Sequence, residues 1–153
     1  MAVDPIPSDY PRVCPYLIVD GASEAVKFYA TVLGTTERLR LPGPDGRIGH
    51  AELQLGGSII MLADAYPDMG IRGPKDIGGS PVTMTVYVDD VDTTFAAAIG
   101  AGATSVQPVE DKFYGDRAGQ FEDPFGHRWS VMSHIEDLTP EEMSRRAEAA
   151  GST

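Results

Sequence analysis

At 153 residues and 42% hydrophobic content, the chain can bury one domain core or two small modules around a shared one. Its formal net charge of −11 argues against a nucleic-acid partner, whose binding requires phosphate neutralisation, and suits a cationic ligand better than an anionic one. The single cysteine, Cys14, excludes an internal disulfide and a cysteine-based zinc cage, and no run approaches the ~18 apolar residues of a membrane span.

The N-terminal segment has neither a basic region nor an apolar stretch, so no secretory signal is expected and the cytoplasm is the expected compartment. Residues 1–11 carry three prolines and read as an extended arm. Alternation predicts a first strand over 13–19, with Cys14, Tyr16 and Ile18 on one face. A helix follows, with Ser23 as N-cap, Ala25, Val26, Tyr29, Val32 and Leu33 as its buried stripe, and Gly34 as its stop. Residues 36–41 read as a second strand. In the third, Ala51, Leu53 and Leu55 alternate with His50, Glu52 and Gln54. Residues 58–63 form the fourth, and the Gly- and Pro-containing stretch 65–80 reads as a linker.

From Pro81 the order repeats. Val82, Met84, Val86 and Val88 alternate with Thr83, Thr85 and Tyr87. A helix capped by Asp92 follows, with Phe95, Ala98 and Ile99 inward, then a short strand over 105–109 and a loop over 111–116. The stretch 119–134 has the form of strand, tight Asp123-Pro-Phe-Gly turn and strand. Thr139, Pro140 and Glu142 predict a C-terminal helix over 139–150. The repeat has one offset: Tyr16–Asp20 falls on Thr85–Asp89, and Gly57 on Gly126, both 69 positions on. The fold class expected is α+β, with two βαβββ modules in tandem, about 12–64 and 81–135, in a single domain over 1–153.

These residues carry a family resemblance. Tyr16–Asp20 with Ala25-Val-Lys-Phe-Tyr29, the His50-Ala-Glu-Leu53 strand, Glu122-Asp-Pro-Phe-Gly-His-Arg-Trp129 and the ending Ser133–Glu142 resemble the vicinal oxygen chelate superfamily, of glyoxalase and bleomycin-resistance type, and its PhnB-like branch in particular. The resemblance implies paired curved mixed sheets enclosing one cavity, and a homodimer. It also implies four positions where metal-dependent members hold a divalent ion with His or Glu. Aligned here, these are Cys14, Met61, Thr83 and Ser130. None is an imidazole or a carboxylate, so no metal and no cofactor are expected, with a divalent metal elsewhere as the alternative.

Strand parity makes Cys14, Tyr16, Ile18, His50, Glu52, Met61, Thr83, Thr85, Tyr87, Phe121, Ser130 and Met132 the cavity lining, with Phe113, Tyr114 and Arg117 at its mouth. The expected function is metal-free binding of a small organic molecule. The rival reading is a lyase, isomerase or dioxygenase-like enzyme acting through Glu52, His50 or His134. A third reading, a protein-interaction module, predicts a solid interior without a pocket.

Overall fold

The computed structural model describes residues 2–151. Two compact units emerge, residues 1–80 and 81–153. In the first, β1 (Tyr16–Val19), α1 (Ala22–Leu33), β2 (Thr36–Pro42), β3 (Ile48–Leu55) and β4 (Ser58–Asp64) form a four-stranded mixed sheet of order β1-β4-β3-β2. The short helix α2 (Pro74–Ile77) follows. In the second unit β5 (Thr83–Tyr87), α3 (Val91–Gly100), β6 (Thr104–Asp111), β7 (Asp116–Glu122) and β8 (Arg128–His134) form a sheet of order β5-β8-β7-β6, and α4 (Pro140–Gly151) closes the chain. The two units thus have the expected βαβββ order. None of the described helices is long and apolar enough to cross a membrane.

The internal repeat is visible in the strand register. β1 pairs in parallel with β4 through Tyr16 and Met61, and β5 with β8 through Thr85 and Ser130, each residue 69 positions beyond its counterpart. The offset also governs how each first helix begins. Ala22 N–H donates to Asp64 Oδ1 (2.7 Å), and Val91 N–H, at the matching position, donates to Ser133 Oγ (3.1 Å). Each cap comes from a last-strand residue 42 positions away.

Several local expectations are thereby corrected. Ser23 is not the N-cap of α1. The helix starts two residues earlier, after Gly21, whose φ of 107° needs glycine, and Asp64 satisfies the exposed N–H groups. Asp90 rather than Asp92 caps α3, accepting from Thr93 N–H at 3.2 Å. Ile99 is exposed rather than inward. The first strand starts at Tyr16, so Cys14 lies outside it. The stretch expected to be a linker folds back onto its own unit: Tyr66 and Ile71 bridge, and a Cβ on Gly73 would meet the Ile18 carbonyl oxygen at 3.1 Å.

Packing on the helix side follows the predicted stripes. In the first unit α1 buries Ala25, Val26, Tyr29, Val32 and Leu33 against β1, β3 and β4, with Leu17, Val19, Ala51, Leu53 and Leu62 opposite. In the second, the ring of Phe95 on α3 stands edge-on to Phe121 (centroids 6.3 Å apart) over fully buried Trp129 and Val131. The Asp123 turn is tied to this core. Asp123 Oδ2 accepts from Trp129 Nε1 (2.8 Å), and Oδ1 accepts from Phe125 and His127 N–H (2.9 Å each).

Candidate functional site

Each sheet has a face turned away from its helix, and most of the predicted site residues lie on one or the other of these faces. In the first unit the register places Tyr16, Met61 and Glu52 side by side across β1, β4 and β3, with His50 two residues along β3. Glu52 is only 5% exposed. Its carboxylate accepts from Tyr10 Oη (2.7 Å) and His50 Nε2 (2.9 Å), and Arg38 lies 3.8 Å away. The hydrogen bond from His50 is the main cause that holds Glu52 below the ordinary carboxylate range, against the opposing effect of burial. With Glu52 ionised, Nε2–H is the donor to it, and in the Nε2–H tautomer Nδ1 accepts from Tyr16 Oη, 2.8 Å away. His50 and Glu52 therefore come together as expected. Tyr10 and Arg38, which also join them, carry no local sequence signal because they arrive from the arm and from β2.

In the second unit the helix-free face opens into a cavity of about 510 Å³. Ser130 and Gln120, paired across β8 and β7, form its floor with Ala118. Gln107 and Lys112 line one side, Phe113 and Tyr114 lie at the rim with centroids 5.2 Å apart, and Ala150 of α4 closes another edge. Gln120 escapes sequence reasoning for a definable reason. The β3–β4 connection holds two residues, Gly56 and Gly57, whereas the β7–β8 connection holds five, Asp123 to His127. The register slips accordingly: Gln120 opposite Ser130 is the counterpart of Glu52 opposite Met61, an offset of 68 rather than 69.

That slip corrects two predicted lining residues. Phe121 pairs with Trp129 and lies on the helix face, fully buried. Arg117 shares that face. It is held by Asp92 (2.9 and 3.0 Å) and Asp111 (2.9 Å) instead of standing at the pocket mouth. Met132, opposite Ala118, does lie on the pocket face and is almost fully buried. Thr83 and Thr85 lie exposed on β5.

Tyr87 donates to Asp116 Oδ2 (3.0 Å), and His134 bridges Asp116 (2.8 Å) and Asp137 (2.7 Å). Asp137 first, and Asp116 second, hold the His134 imidazolium above the ordinary pKa of 6.5. His50 and Glu52 thus share one polar cluster within the first unit, and within the second His134 joins Tyr87, Asp116 and Asp137.

The four metal positions do not fit a divalent ion of the family type. Met61 offers a thioether, Thr83 and Ser130 offer neutral hydroxyls, and the Cys14 thiol donates to the Pro11 carbonyl (3.4 Å) from outside β1. Glu52, the carboxylate beside Met61, has both oxygens engaged by Tyr10 and His50.

The profile of the Glyoxalase/Bleomycin resistance protein/Dioxygenase superfamily matches residues 11–131. The uncharacterized protein Mb0911c of Mycobacterium bovis is 40% identical over 144 residues, which span 92% of this chain and 95% of that one. Among solved structures, protein PA1353 from Pseudomonas aeruginosa is similar with a TM-score of 0.69 and 27% identity, over 82% of this chain and 99% of that one. A PhnB protein from Bacillus cereus is similar in fold, with a TM-score of 0.65 and 17% identity over 80% of this chain and 99% of that one.

Proposed function

The chain belongs to the Glyoxalase/Bleomycin resistance protein/Dioxygenase superfamily, and on that premise we propose that it binds a small organic molecule without using a metal ion. The observation that carries this reading is the cavity on the helix-free face of the second sheet. Its volume of about 510 Å³ falls in the range of small-molecule sites. An aromatic rim, Phe113 and Tyr114, over a floor with one amide and one hydroxyl, Gln120 and Ser130, suits a flat apolar body with a few hydrogen-bonding groups. The net charge of −11 favours a neutral or cationic molecule.

The test is a thermal-shift screen of planar aromatic compounds, neutral and cationic, against wild type and Gln120→Trp. The best binder is expected to lose at least tenfold in affinity in the variant, about 1.4 kcal/mol, because the indole fills the floor. Undiminished binding to the variant would overturn the reading.

The assembly proposed with this function is a homodimer. The edge strand β2 supports it: all seven of its residues are exposed, Leu39 and Leu41 among them. Sedimentation of a monomer at micromolar concentration would remove this part of the proposal.

One observation favours the rival, an enzyme on the same scaffold: the His50–Glu52 hydrogen bond, which has the form of an oriented acid–base pair.

A further inference from the structure

The polar cluster of the first unit contains more hydrogen bonds than its structural role requires. Tyr10, from the N-terminal arm, is fixed by its hydrogen bond to Glu52 and by Arg38, whose guanidinium stacks 4.8 Å from the Tyr10 ring centroid and lies 3.7 Å from Asp9. Those contacts suffice to hold the arm. Tyr16 needs no such help, since its backbone is already paired to β4. Yet its hydroxyl is aimed at His50 Nδ1, while 46% of the residue remains exposed. The result is a file of three groups running from solvent to a buried carboxylate: Tyr16 hydroxyl, His50 ring, Glu52. The Tyr16 and His50 rings lie 5.4 Å apart and tilted by 32°, so the mouth of the file is an aromatic surface.

We propose that Tyr16, His50 and Glu52 form a proton relay that ionises a phenolic or enolic hydroxyl docked at Tyr16. The step balances without a co-reactant. The ligand O–H bond breaks and its proton passes to Tyr16 Oη, while the proton Tyr16 already carries moves to His50 Nδ1. The products are a ligand oxyanion, a neutral Tyr16 and a His50 imidazolium. Glu52 stabilises that imidazolium through Nε2–H and fixes the tautomer in which Nδ1 is free to accept. The charged and titratable groups around the file are Asp9 and Tyr10 from the arm, Arg38 from β2 and Glu52 from β3. The His50 hydrogen bond first, then that of Tyr10, and last the charge of Arg38 within 4 Å, hold the Glu52 carboxylate below its ordinary range, so that it accepts a hydrogen bond without taking the proton. Burial is the main cause that raises the Tyr16 phenol above its usual range, with Glu52 adding to it, so Tyr16 remains protonated and transmits the proton without retaining the charge.

The probe is 4-nitrophenol, whose phenolate band reports its ionisation directly. Bound to wild type it is expected to ionise at least one pH unit below the free probe, a tenfold shift. Tyr16→Phe and Glu52→Gln are expected to bind it with the pKa of the free compound. Two-bond nitrogen–proton NMR supplies a readout that a merely structural network would not move: His50 is expected as the Nε2–H tautomer in the free protein and as the imidazolium once the probe binds. An unshifted probe, absence of binding at millimolar concentration, a shift that survives in Tyr16→Phe, or an Nδ1–H tautomer in the free protein would each overturn the relay. Because Gln120→Trp alters only the second unit, loss of the pocket and loss of the relay are separable.

Discussion

Asp64 makes three backbone contacts that no other residue replaces. It accepts from Gly21 and Ala22 N–H at the start of α1 (3.2 and 2.7 Å) and, through its other oxygen, from Ile48 N–H at the start of β3 (2.7 Å). Ser133 holds the matching place in the second unit with a single accepted bond from Val91, and it donates to the Val88 carbonyl. Charged acceptors on several N–H groups contribute more than a neutral hydroxyl on one. Asp64→Ala is therefore expected to lower stability by about 2–4 kcal/mol and Ser133→Ala by about 1 kcal/mol, read from urea midpoints. Equal costs would show that the cap is not what Asp64 supplies. Asp123, 4% exposed and accepting from Phe125, His127 and Trp129, likewise ties a turn to the core through its carboxylate, from a buried position where Asp64 is half-buried.

At the scale of elements, β7 shows how one glycine sets a packing distance. A Cβ on Gly119 would lie 2.8 Å from Val109 Cγ2 and 2.9 Å from the Phe95 ring, whereas Gly57 has open space around it. Gly119→Ala is expected to cost about 1–3 kcal/mol through overpacking, and Gly57→Ala to be neutral or slightly stabilising. Thermal melts of the two variants side by side check this; equal melting temperatures would contradict it.

The segment leading to α4 is clamped by His134 to Asp116 and Asp137, and α4 itself by Arg146 to Glu136 (2.7 and 2.8 Å). Because the folded-state pKa of His134 is raised above 6.5, its contribution to stability is present below that value, while the carboxylates remain ionised, and is lost as pH rises through the folded-state value. The gap in melting temperature between wild type and His134→Gln is accordingly expected to be widest just below pH 6.5 and to close on the alkaline side. A gap that widens with pH would contradict this sign. Element boundaries were legible wherever apolar periodicity set them, as in α1 and β4. The helix starts were not, because local Ser23 and Asp92 carry a cap signature while the residues that satisfy α1 and α3 include partners 42 positions away.

For the whole molecule, the repeat was readable because one offset of 69 relates the first and last strands of the two units. It misplaced Phe121 and hid Gln120 because the longer Asp123–His127 turn shifts β7 by one residue, and in a strand one residue exchanges the faces. Family membership and fold were thus legible in motif and period. The composition of the site was legible only in part, since Tyr10, Arg38 and Gln120 are brought in by register and by long-range closure. The most direct measurement of the central claim is a heteronuclear NMR titration with the strongest planar aromatic binder. Shift changes are expected to centre on Phe113, Tyr114, Gln120 and Ser130 and to be unaltered by a metal chelator. Changes confined to other surfaces, or binding that the chelator abolishes, would contradict it.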